Sequence, residues 1–170
     1  MTDVSATLVA KLAHLRPTDE VVRALAQRAE LVALSDASAE AVLAPEDPGG
    51  LPHAVRGIIA VRASERLGDE TMKDHYYQRF TTCDDWYDHA GLADPDTFSG
   101  DERLDALLRH ADRLIAAPKT ATREHVEALK AAGVAEADIV RLAELCAFLG
   151  YQSRLVIGLR LMKTSMEKSA

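Results

Sequence analysis

Between Ile139 and Met162 the chain carries apolar side chains on most faces of a helix, with Gln152, Ser153 and Arg154 as its main polar interruption. A stretch of that kind reads as deeply buried, at a helix–helix contact or a subunit interface, rather than as a surface helix. The polar interruption argues against its spanning a bilayer. Nowhere does the sequence show a sustained alternation of apolar and polar residues, the mark of a half-buried strand. The expected fold class is therefore all-α. Aromatic residues make up only 5% of the chain while Ala and Leu are abundant, which favours helices packed through small and aliphatic side chains.

A length of 170 residues suits one compact domain with a single sizeable core. Three segments are expected within it: 1–50, N-terminal helices and a linker; 51–117, a central helical region; and 118–170, a closing helix pair. Helical spacing covers Val4–Leu15, with Pro17 behind it, and then Val21–Leu43, with Thr18 as an N-cap and a break near Ser35–Asp36. The stretch APEDPGG, Ala44–Gly50, with two prolines and two glycines, reads as the clearest linker. Helices are expected over Pro52–Leu67 and Asp69–Thr81, with a turn at Gly68-Asp69, then over Cys83–Leu92 and Arg103–Ala117. Thr122 caps Arg123–Ala132, Gly133 fits the left-handed residue that ends it, and a last helix runs from Glu136 to about Lys163.

The net charge of −7 excludes a general nucleic-acid binder, which needs basic surface to neutralise phosphates. Acid is concentrated between Asp84 and Asp105, and base in the last twenty residues at Arg154, Arg160, Lys163 and Lys168. The plain reading is a solvated acidic face and a fraying basic tail. Cys83 and Cys146 form no CxxC and no metal-ligand spacing. Met1–Ser5 is polar and no signal peptide is evident, so a cytoplasmic protein with free thiols, and no membrane partner, is expected. In DDWYDH, Asp85 and His89 lie at i, i+4 beside Asp88, but without a further ligand they read as an acidic helix start, and neither a metal nor a cofactor is expected.

The densest chemistry lies in RASERLGDETMKDHYYQRF, Arg62–Phe80. Asp69, Met72 and Tyr76 fall at i, i+3 and i+7 on one face, with His75 adjacent. As an acid–base site, His75 or Asp69 would serve as base, Tyr76 as acid or hydrogen-bond donor, and Arg62 or Arg154 as the holder of an anionic substrate. As structure, Asp69 caps its helix, His75 is exposed, and the tyrosines pack with their hydroxyls wet. Arg154, within an apolar helix, needs either an ion-pair partner or a wet cavity.

His125–Leu161, HVEALKAAGVAEADIVRLAELCAFLGYQSRLVIGLRL, resembles the closing helix pair of the carboxymuconolactone decarboxylase / AhpD-like superfamily, with Tyr151 and Arg154 as its mid-helix aromatic and arginine. AVRGIIAVRASERLGD, Ala54–Asp69, resembles the helix leading into that family's catalytic motif. Together with APEDPGG the chain is similar to the "CMD domain" branch. The resemblance implies an AhpD-like helical bundle and a homo-oligomer of closed symmetry. It also implies that the family's redox set, a glutamate, a CxxC pair and a histidine, would fall on Gly57, Asp69, Met72 and Tyr76, with His75 one place earlier. No cysteine lies between Met1 and Thr82, so a dithiol cycle cannot run in this segment.

Three functions follow as expectations. The first is a protein that has lost dithiol peroxidase chemistry and acts structurally or as a regulator, as a homo-oligomer or beside a redox-competent paralogue. The second is a non-redox enzyme or binder of small organic acids or hydrophobic molecules on the His75/Tyr76 face. The third is a peroxidase with Cys83 as its lone reactive thiol, although Asp84 and Asp85 beside it disfavour the thiolate.

Overall fold

The computed structural model describes residues 3–169. Among these the chain is all-α, with nine helices and no strand. They are α1 (Leu8–Leu12), α2 (Glu20–Ala26), α3 (Ala29–Leu43), α4 (His53–Leu67), α5 (Glu70–Phe80), α6 (Trp86–His89), α7 (Glu102–Ala116), α8 (Arg123–Ala131) and α9 (Glu136–Ser169). The chain divides into two compact units. One comprises the residues up to Ala41 and those from Tyr151 onward; the other runs from Val42 to Gly150.

In the first unit, Asp36 does not break α3. Both its carboxylate oxygens accept the amide of Leu8 at 3.1 Å, capping the start of α1 from a distance in sequence. The break falls instead at Gln27–Arg28. Asp19, not Thr18, precedes α2 as its N-cap. The basic residues of α9 have a task here. Arg160 donates to the carbonyl of Leu12 at 2.8 Å, and Lys163 to that of His14 at 2.7 Å. They satisfy the orphan carbonyls where α1 ends in the left-handed residue His14, φ 52°.

The second unit is organised on α4, whose residues from Ala54 to Ser64 are all buried. Gly68, at φ 67°, ends it in the left-handed conformation that favours glycine, and Asp69 starts α5 by accepting the amide of Met72 at 3.0 Å. Helices α5 and α7 both pack on α4, and α8 packs on α7. Gly57 permits the α4–α5 contact: a β-carbon there would stand 3.1–3.3 Å from Phe80, its backbone included.

The segment read as a linker is instead tightly fastened. Arg56, buried in α4, donates to the carbonyls of Val42, Pro48 and Leu51 at 2.8–3.0 Å. Asp138 accepts the Gly50 amide at 2.9 Å and pairs with Arg141 at 3.0 Å, while Arg103 donates to the Gly50 carbonyl at 2.7 Å. Side chains replace the secondary-structure partners that this segment lacks.

Helix α9 resolves its all-round apolarity into two stripes. Leu142, Leu145, Leu149, Val156 and Leu159 are buried, whereas Val140, Tyr151, Ile157, Leu161 and Met162 are exposed. The polar triplet does not interrupt the helix: Gln152 and Ser153 are buried and Arg154 is exposed. By length and composition alone α9 could cross a membrane, but half of its most apolar window is buried in the fold, as in a core helix.

Candidate functional site

Arg62 and its surroundings differ from the anion-holding role expected of this residue. Its side chain is 1% exposed. Nη1 donates to the carbonyls of Leu92, Asp94 and Thr97 at 2.8–3.0 Å. Nη2 donates to the carbonyl of Pro95 at 2.7 Å and to Asp112 at 2.6 Å, and Nε reaches the same carboxylate at 3.3 Å. Every donor of the guanidinium is engaged, so no group remains to receive a substrate anion. Arg62 is a staple that holds residues 92–97 against α4 and neutralises Asp112.

The four positions on which the AhpD-like resemblance would place a redox set are also occupied by structure. Gly57 is pressed against Phe80, where a glutamate side chain has no room. Asp69 is a buried N-cap, and Met72 is buried. Tyr76 is 1% exposed, so it is a core residue rather than one with a wet hydroxyl. His75, only partly exposed, meets the edge of Tyr76 with ring centroids 5.2 Å apart.

The cavity lies next to these positions. A cleft of about 710 Å³ opens at the C-terminal end of α5, and His75, Arg79, Cys83, Asp84 and Asp85 line it. Its other side comes from Leu43–Ala44, Pro48 and Pro52–Ala54, the segment that Arg56 fastens. His53 thereby joins His75 and Cys83 in one cleft. The sequence hid this, because His53 opens α4, a whole helix before α5, and shows no spacing relation to the α5 residues. Its Nε2 lies 2.9 Å from the carbonyl of Pro45. A carbonyl can only accept, so Nε2 carries the proton and Nδ1 is left as an acceptor.

Cys83 is a free thiol at partial exposure. Burial pushes its pKa up, Asp84 and Asp85 push the same way, and nearby Arg79 pulls against them. The net direction disfavours the thiolate that peroxide chemistry needs. Cys146 is buried, and burial raises its pKa to about 12, which makes it inert core. Arg154 lies in the other unit, exposed on α9, and is not part of the cleft lining. Asp85 and His89 gain no third ligand: among the described residues no group of three His, Cys, Asp or Glu is placed to hold a metal ion.

Chemically, the cleft offers a guanidinium, two imidazoles and two carboxylates around a volume suited to a small molecule. It offers no second thiol. No family model matches the chain, and no curated protein or solved structure shows significant similarity to it.

Proposed function

We propose that the chain is an AhpD-like protein without dithiol chemistry that binds, or acts on, a small organic acid in the cleft at the end of α5. The observation that carries this reading is the convergence of His53, His75 and Arg79 on one cleft. A guanidinium suits a carboxylate, and an imidazole with an acceptor nitrogen suits proton transfer to or from a bound hydroxyl or α-carbon. Asp84 and Asp85 in the same lining favour an acid that also carries a donor, such as a hydroxy or amino acid. The free thiols of Cys83 and Cys146 fit a cytoplasmic setting.

The test is a thermal-shift screen of small hydroxy, keto and amino acids against the protein and its His75→Gln and Arg79→Gln variants. A saturable rise in Tm that both variants lose is the expected outcome, since ligands stabilise only the state they bind. If no acid raises Tm, or if both variants respond like the parent, the reading fails. A Cys83-dependent peroxidase predicts peroxide consumption that Cys83→Ser abolishes; the raised thiol pKa weighs against it.

A second reading, self-association, is favoured by the apolar residues exposed in the first unit. Leu31 and Leu34 on α3, and Ile157 and Leu161 on α9, leave large aliphatic surface in water, with Leu161 67% exposed. The fitting partner is a second copy of the chain or a redox-competent paralogue. Light scattering of the protein and of Leu161→Glu decides it: an oligomer that the variant dissociates supports the reading, and a monomer in both removes it.

A further inference from the structure

A second, smaller cavity lies between α7 and α8, with a volume of about 200 Å³. In a chain of net charge −7 its lining is unusual, because it contains Arg109, His110, Arg113 and His125 and no carboxylate. The remaining lining is Ala106, Ala128 and Leu129. Arg109 and Arg113 stand one helical turn apart on α7, so both guanidiniums rise from the same face.

His110 is the informative member. It is 8% exposed, and among the described residues its ring makes no hydrogen bond, yet it lines the cavity. Its ring nitrogens are not sealed from solvent, so water or a ligand in the cavity can satisfy them. Burial, His125 and Arg113 all press its pKa down, so the surrounding field is positive. His125 is held in one tautomer. Its Nδ1 accepts the amide of Thr122 at 3.0 Å, so the proton of the neutral ring sits on Nε2, which is a donor.

The nearby acid does not fill the cavity. Asp105 reaches Arg109 only at 3.9 Å, because its carboxylate already accepts the Ser99 amide and hydroxyl at 2.8 Å and the Gly100 amide at 3.1 Å. Arg109 also lies over the face of Phe98, 4.5 Å from the ring centroid, which fixes the guanidinium plane. Arg113 makes no ion pair and no side-chain hydrogen bond among the described residues.

We infer that this α7–α8 groove binds a small tetrahedral oxyanion, either inorganic phosphate or the phosphoryl end of a small phosphomonoester. Two guanidiniums supply forked, charge-assisted donors, and the imidazoles supply neutral ones. The volume is that of roughly seven waters at about 30 Å³ each, enough for a phosphoryl group and its first solvent. The inference does not rest on the organic-acid cleft, which shares none of these residues.

The experiment is a titration with inorganic phosphate at constant ionic strength, read by calorimetry and by the ring-proton NMR signals of the six histidines. The expected result is saturable binding that moves the His110 and His125 signals. Arg113→Gln should weaken it by about tenfold or more, corresponding to about 1.4 kcal/mol, with Arg113→Lys intermediate and Arg79→Gln unchanged. Tighter binding of glycerol phosphate than of phosphate assigns the site to phosphomonoesters, and equal binding to the free anion. Absence of saturable binding, equal affinity in Arg113→Gln, or shifts confined to other histidines would overturn the inference. The wild-type NMR shifts decide the matter even if a variant fails to fold.

Discussion

Arg62 and Arg79 stand at the two ends of the segment richest in reactive groups, and each has acidic residues near it. Arg62 is buried on α4, and two carboxylate oxygens and four main-chain carbonyls take up its donors. Arg79 lies near the end of α5, on the wall of a cleft of about 710 Å³ shared with two histidines and a cysteine. One arginine is spent on folding; the other faces a space that a small molecule can enter. Residue type and sequence crowding are the same in both places. What separates them is burial: Arg62 is sealed beneath residues 92–97, whereas Arg79 keeps a face on the cleft, and that difference is set by loops far away in the chain.

Breaking the Arg62 cage should have the largest effect. Arg62→Met leaves the largely buried Asp112, with a side chain 11% exposed, only the more distant Arg66 at 3.7 Å, and removes most of the anchors of the 92–97 loop. A loss of about 3–5 kcal/mol in denaturant unfolding is expected. A loss below about 1 kcal/mol would mean that the cage is not structural. Asp69→Ala removes the α5 cap and should cost about 1 kcal/mol by the same measurement. Gly57→Ala pits the crowding of Phe80, about 1–3 kcal/mol, against a helix-propensity gain of about 1 kcal/mol. A net loss of about 1 kcal/mol is expected, and unchanged stability would show that α5 can move away from α4.

The cleft should behave in the opposite way. Arg79→Gln should cost no more than about 1 kcal/mol, as for a partly exposed charged side chain, while abolishing organic-acid binding. Its thiol gives a finer check, read by alkylation rates against pH. With its pKa raised, Cys83 should react slowly at neutral pH and faster as pH climbs toward that raised value, because only the thiolate attacks. Cys146, raised to about 12, should react only after unfolding. Fast alkylation of Cys83 near pH 7 would reopen the peroxidase reading.

What was legible in the sequence was local. Gly68, Asp69, Thr122 and Gly133 mark helix ends by their own conformational chemistry, and the helices end where they indicate. What was illegible depends on distant partners. APEDPGG reads as a linker because its anchors lie elsewhere: Arg56 in the next helix, and Asp138, which binds Gly50 from 88 residues away. Arg62 reads as an anion holder because its acceptors are mostly carbonyls, which every residue possesses. His53 could not be paired with His75, because only the approach of the 42–54 segment to the end of α5 brings them into one cleft. The exposed stripe of α9 was hidden by the helix being apolar on both of its faces.

The most direct measurement is the histidine ring-proton NMR spectrum during titration with the organic acid that gives the largest thermal shift. The expected result is saturable movement of the His53 and His75 signals, with those of His110 and His125 at rest. Movement of other histidines alone, or none at any ligand concentration, would contradict the assignment of the α5 cleft as the binding site.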